Sequence, residues 1–187
     1  MFDAWVLGMI VTLIGYRGSG KSSVARPLAE RLDWACVDAD EEIERQAGCS
    51  IRDIFEADGE PAFRDWERKV IAQLLAGDRL VLAAGGGAVL NDQTRAELRA
   101  AGPVVWLRAS PAQLEQRIVS DETTAERRPN LTVAGGQSEI VELLSQREPL
   151  YLECASITIE TDSRSLNAIV EAVHSAVLAE ISGGTRR

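Results

Sequence analysis

Short apolar runs alternate along this chain with longer stretches of helical period. The runs cover residues 10–14, 34–37, 80–84, 104–107 and 157–159, each the length of a buried strand. Between and after them, apolar positions recur every three to four residues over 21–32, 62–75, 93–101, 112–119, 139–150 and 165–181. Val70 with Leu74, and Ile71 with Leu75, lie on one helical face, as packing against a sheet requires. The alternation predicts an α/β fold with a mostly parallel sheet. Two regions break the rhythm. Residues 40–60 hold short helical pieces with no strand, the size of a small substrate-binding insertion. Residues 120–137 are polar, carry Thr and Gly, and have no apolar period. A loop of that length in a compact domain usually has a function or lacks order.

The 187 residues fit one domain, and 45% hydrophobic against 26% charged residues is enough apolar material for a substantial core. Asp plus Glu outnumber Lys plus Arg by 29 to 20, a formal net charge of -9. That balance argues against a bulk binder of nucleic acid or anionic membrane, while leaving room for a local basic pocket. Cys36, Cys49 and Cys154 show no CxxC spacing, and His174 is the only histidine, so neither a disulfide framework nor a zinc site is expected. Free thiols suit a reducing, cytoplasmic setting. The apolar segment 4–14 lacks a preceding basic residue and is too short to span a bilayer. We read it as a leader joined to the first strand, and expect residues 1–8 to be dispensable for folding.

The strongest signal is Gly15-Tyr16-Arg17-Gly18-Ser19-Gly20-Lys21-Ser22, a complete GxxxxGK[ST] between a strand and a helix. Its glycines let backbone N–H groups turn toward phosphate oxygens, and the helix N-terminus adds positive potential. Lys21 can reach β- and γ-phosphates and the Ser22 hydroxyl can ligate Mg²⁺. Only Lys21 and Lys69 are lysines in the whole chain, so a lysine at this position is not composition noise. The motif predicts binding of a nucleoside triphosphate.

Such a loop needs a carboxylate near its metal, commonly at a strand end. The third run ends in Gly85-Gly86-Gly87, but the second ends in Asp38, followed by Asp40. Two residues apart on an extended backbone, these carboxylates project to the same side. Asp38 with Glu41 also fits a D-x-x-E capping box, and the two roles are compatible.

Together these features resemble the shikimate kinases. The resemblance adds Ile54-Phe55, Gly59-Glu60 and Phe63-Arg64 with Glu67. It continues through Gly85-Gly86-Gly87-Ala88-Val89, Arg127-Arg128-Pro129 and Arg147-Glu148-Pro149-Leu150-Tyr151, in family order over about residues 10–180. It implies a single P-loop kinase domain over 1–187, nucleoside-monophosphate-kinase-like, with a five-stranded parallel sheet of order 2-3-1-4-5. A substrate-binding region at about 40–67 and a lid at about 120–137 complete it. The implied reaction moves the γ-phosphoryl group of ATP to the 3-hydroxyl of shikimate, with Mg²⁺, in aromatic amino-acid biosynthesis. The implied protein is a cytoplasmic monomer with no nucleic-acid or membrane partner.

By the same resemblance, Asp40 would hold the attacking hydroxyl and accept its proton. Ser22 and Asp38 would hold Mg²⁺, Asp38 through water. Gly18, Ser19, Gly20, Lys21, Ser22 and Ser23 would cradle ATP. Arg117 would stack on adenine, and Arg128 would swing in with the lid over the phosphates. Arg64 and Arg147 would grip the shikimate carboxylate beside the Gly85, Gly86 and Gly87 backbone. The chemistry is coherent without the family: planar Arg forks suit a small carboxylate, and phosphoryl transfer asks mainly for positioning and charge neutralisation.

Simpler readings exist for each piece. Arg64 and Glu67 at i,i+3 make an ordinary helix ion pair, and Arg147-Glu148-Pro149 reads as a helix end. The three glycines can be a plain strand-to-helix turn. Arg127 and Arg128 can sit on a solvated loop. Phe63 and Trp66 read as packing residues. The chain also departs from the family: Pro129 is followed by Asn130 where Leu is expected, and 161–167 contains no proline to wall the adenine. A gluconokinase or nucleoside-monophosphate kinase is the rival enzyme of the same architecture. A nucleotide-dependent switch is the non-enzyme rival, weakened by the lack of an Asn-Lys-x-Asp segment.

Overall fold

The structure is a computed structural model and describes residues 9–120 and 136–183. Five parallel strands, β1 (Ile10–Ile14), β2 (Ala35–Asp38), β3 (Leu80–Ala83), β4 (Val104–Arg108) and β5 (Ile157–Glu160), form one sheet of order β2-β3-β1-β4-β5. The helices are α1 (Lys21–Leu32), α2 (Ala39–Ala47), α3 (Ile51–Leu75), α4 (Asp92–Ala101), α5 (Pro111–Ser120), α6 (Gly136–Cys154) and α7 (Leu166–Gly183). A 3₁₀ turn, Ala88–Leu90, links β3 to α4.

Alternation along the strands divides the core in two. Ile10, Ile14, Leu82, Val104 and Trp106 point to one face, where they meet Ile71, Leu98, Tyr151 and Cys154 from α3, α4 and α6. Val11, Leu13, Val81, Val105 and Leu107 point to the other, against α1 and α7 through Val24, Leu28, Val170, Val173 and Val177. The central strand β1 is buried along its whole length, as its unbroken apolar run requires. Edge strand β2 leaves Ala35 and Cys36 exposed. Each Val, Leu or Ile so buried contributes about 1.5–3 kcal/mol of transfer free energy, so the sheet with helices on both faces holds most of the core.

The helical reading of 40–60 resolves into α2 and the first half of α3. Ser50 opens α3 with a reciprocal cap: its Oγ accepts from the Asp53 N–H while the Asp53 carboxylate accepts from the Ser50 N–H. Inside α3, Gly59 adopts φ 78° and ψ -179°, which breaks the helix just before Glu60 and Pro61. That conformation favours glycine, and Pro61 then starts the second half, where a missing N–H costs nothing. Pro149, by contrast, lies inside α6, which runs on to Cys154. The helix-end reading of Arg147-Glu148-Pro149 is therefore corrected: α6 continues a further turn and carries Tyr151 into the core.

Residues 1–8 and most of the expected lid, including Arg127, Arg128, Pro129 and Asn130, lie outside the described residues. Among the described residues no helix is long and apolar enough to cross a membrane.

Candidate active site

Parallel strands deliver their carboxyl ends to one edge of the sheet, and the chemistry-bearing segments all leave from that edge. The phosphate-loop motif follows β1, the Asp38–Asp40 pair closes β2, and the three glycines follow β3. In register, Asp38 lies level with Ala83 and Ile14 level with Trp106.

The first loop has the geometry its glycines allow. Gly15, Gly18 and Gly20 take φ of 143°, 81° and 93°, all in the range that side chains disfavour. A Cβ on Gly18 would press on Ile118 Cγ1 at 3.0 Å, so this glycine also lets α5 pack close. Lys21 Nζ donates to the carbonyls of Gly15 and Tyr16 at 2.9 and 3.0 Å, curling the side chain across its own loop. Ser19 is buried, and its hydroxyl has no partner among the described residues.

Ser22 Oγ donates to Asp38 Oδ2 at 2.5 Å, which joins the first turn of α1 to the end of β2. The other carboxylate oxygen of Asp38 accepts from the Asp40 N–H at 2.9 Å. Asp38 is thus the N-cap of α2, with the bond landing on Asp40 and not on Glu41. Capping and proximity to the phosphate loop occur in one residue. Two hard oxygens held this close fit Mg²⁺, which takes few protein ligands and keeps waters. Asp40, in the first turn of α2, is half-buried.

Two arginines converge on consecutive glycines. Arg147, buried on α6, directs Nη1 toward the Gly86 carbonyl at 3.5 Å, and its guanidinium lies 5.7 Å from the centre of the Tyr16 ring. Arg64, on α3, lies against Gly87: a Cβ there would be 2.6 Å from Cζ and 2.7 Å from Nη2. Gly86 in turn packs on the phosphate loop, where a Cβ would sit 3.3 Å from the Gly15 carbonyl. So the glycine segment is more than a turn. It is a thin wall on which the phosphate loop packs at Gly86 and to which the Arg147 and Arg64 guanidinium groups come at Gly86 and Gly87.

Tyr151 locks that wall. Its buried hydroxyl donates to the Gly86 carbonyl at 2.7 Å, and its ring stacks on Trp106 with centroids 5.6 Å apart. Burial pushes its phenol well above the ordinary range, so the group stays a donor. Arg64 binds two carboxylates, Glu67 Oε2 through Nη1 at 2.7 Å and Glu60 Oε1 through Nε and Nη2 at 3.1 and 2.8 Å. Burial works against the Arg64 charge, but Glu67 and Glu60 outweigh it and raise its pKa. The i,i+3 pair with Glu67 is therefore real, yet Glu67 is almost fully buried, unlike a surface pair. A cavity of about 320 Å³ opens beside this group, walled by Glu60, Arg64, Glu67, Gly87 and Asn91 among others.

Arg117 reaches from α5 to the end of β5, donating to the Thr161 hydroxyl and carbonyl at 3.1 and 3.0 Å, with Nη1 3.5 Å from the Gly18 carbonyl. It sits beside the phosphate loop, on the strand end that lacks a proline. Arg128 falls outside the described residues, so its position is not among these contacts.

Three features escaped the sequence reading: the Tyr151–Gly86 bond, the Tyr16–Arg147 contact, and the second carboxylate on Arg64. Only the last had a visible signal, since Glu60 and Arg64 stand at i,i+4. The other two join residues 65 and 131 positions apart.

The shikimate kinase family model matches residues 17–178. The chain belongs to the shikimate kinase family. A shikimate kinase of Pseudomonas syringae pv. syringae is 45% identical over 158 residues, covering 84% of this chain and 90% of the relative. The structure of an Acinetobacter baumannii shikimate kinase in complex with shikimate superposes with a TM-score of 0.85 at 37% identity, covering 91% of this chain and 93% of that one. A gluconokinase from Sinorhizobium meliloti shares the fold more distantly, with a TM-score of 0.56 at 19% identity over 96% of this chain and 98% of its own. The expected sheet order and kinase architecture hold for this shikimate kinase family member.

Proposed function

We propose that this chain transfers the γ-phosphoryl group of ATP to the 3-hydroxyl of shikimate, with Asp40 as the base. The observation that carries the reading is the glycine wall, with the phosphate loop packed on Gly86 and the two arginines gathered at Gly86 and Gly87. A nucleotide phosphate and a small carboxylic acid bound on those groups meet near the Asp38–Asp40 pair.

In this reading the Gly18 to Ser23 backbone and the Lys21 ammonium bind the phosphates, and Arg117 lies toward the nucleoside side. Ser22 and Asp38 would hold Mg²⁺, which neutralises phosphate charge when bound. Arg64 and Arg147 take the substrate carboxylate, and orient the ring so that its hydroxyl reaches Asp40. Asp40 accepts the hydroxyl proton as the oxygen attacks the γ-phosphorus and ADP leaves. Arg128 of the lid adds positive charge to the transferring group, and lid closure excludes water, which limits ATP hydrolysis. The protein acts as a monomer in the cytoplasm.

Asp40→Asn tests the assignment. It should abolish most turnover while nucleotide binding, measured by calorimetry, stays near wild type, because the phosphate loop is untouched. Substantial turnover in Asp40→Asn would remove Asp40 as the base.

A further inference from the structure

The hydrogen-bonding edges of Arg64 are already engaged. Glu67 holds Nη1, while a single oxygen of Glu60 bridges Nε and Nη2. The remaining Nη1–Nη2 end lies against Gly87, where even a Cβ would not fit. A guanidinium offers five N–H donors in a fixed fork, so a carboxylate that takes two of them in parallel needs one free edge. None is free here.

The neighbours differ in how easily they can leave. Glu67 is buried, its side chain 4% exposed, and removing it would strand a charge. Gly87 is main chain, pinned through Gly86 by Tyr151. Glu60 is 49% exposed, stands directly after the helix break at Gly59, and faces the cavity of about 320 Å³. Its carboxylate can turn to water at little cost.

We propose that Glu60 is a gate on substrate binding: its carboxylate occupies the Nε–Nη2 edge of Arg64 and must be exchanged for the substrate's carboxylate. The exchange rests on the reading of Arg64 as the carboxylate grip. It swaps one charge-assisted pair for another, so Arg64 is never left bare, and an uncharged analogue has no means to displace Glu60. The gate thus favours acids over isosteric neutral compounds and weakens apparent affinity for the acid by the worth of the Glu60 pair.

Steady-state kinetics on three variants test this. Glu60→Gln should lower the KM for shikimate by about threefold, the scale of a half-exposed ion pair, with kcat and the KM for ATP unchanged. Glu60→Asp keeps the charge but shortens the reach, and should lower KM as Glu60→Gln does. Asp65→Asn removes a neighbouring acid from the same cavity wall and should leave KM unchanged. A general effect of negative charge would instead lower KM in Glu60→Gln and Asp65→Asn alike and spare Glu60→Asp, which would overturn the gate. An unchanged or raised KM in Glu60→Gln would overturn it too. Absence of shikimate phosphorylation by the wild-type chain is a separate result and would count against the proposed function itself.

Discussion

The guanidinium of Arg64 lies in the space that a side chain on Gly87 would have to fill. This contact ties the second half of α3 to the segment after β3, so a side chain at position 87 would displace the guanidinium. Gly87 has φ -99°, which any residue can adopt, so backbone strain plays no part. Gly87→Ala should push Arg64 off the wall and raise the KM for shikimate about tenfold or more, with the KM for ATP little changed. Normal shikimate affinity in Gly87→Ala would show that Arg64 does not bind from this position.

The Tyr151 hydroxyl gives a second handle on the same wall. Tyr151→Phe keeps the stack on Trp106 and removes only the bond to the Gly86 carbonyl, which is left with Arg147 at 3.5 Å. Leaving a buried carbonyl short of a partner costs about 1–3 kcal/mol. We expect a lower midpoint in urea and a raised KM for shikimate at unchanged KM for ATP. Loss of stability with no change in either KM would reduce Tyr151 to a core residue.

Arg64 and Arg128 should separate cleanly in kinetics. In the proposed function, Arg64→Ala would remove a contact to the carboxylate that substrate and transition state share, so KM for shikimate should rise far more than kcat falls. In the same reading, Arg128→Ala would remove charge that matters most as the phosphoryl group transfers, and an arginine in such a role is worth about 10³–10⁵ in rate. Its main effect should be on kcat. The opposite pattern would exchange the two roles.

Much of this was legible because the fold's signals are local. The run at 10–14 is β1 to the residue, and the helix after the phosphate loop begins and ends where its period does. Chain order then showed strands alternating with helices, and glycines or acids at the strand ends, while the sheet order followed only from the family resemblance. What stayed hidden was tertiary. The period marks α6 only as far as Leu150; it does not announce the last turn to Cys154, which carries Tyr151 against Trp106 in the core. Nor does spacing say that Asp38 caps Asp40 and meets Ser22 at once, since Ser22 arrives from sixteen residues upstream. The simpler reading of Arg64 with Glu67 holds: the pair exists, and the guanidinium it binds lies against Gly87.

The most direct test is ADP formation from ATP and Mg²⁺ by the purified chain, offered shikimate, gluconate or AMP at equal concentration. The account predicts that shikimate supports by far the fastest ADP release and that phosphorus NMR shows a new monoester on its 3-hydroxyl. Faster release with gluconate or AMP, or a phosphate on another hydroxyl, would contradict it.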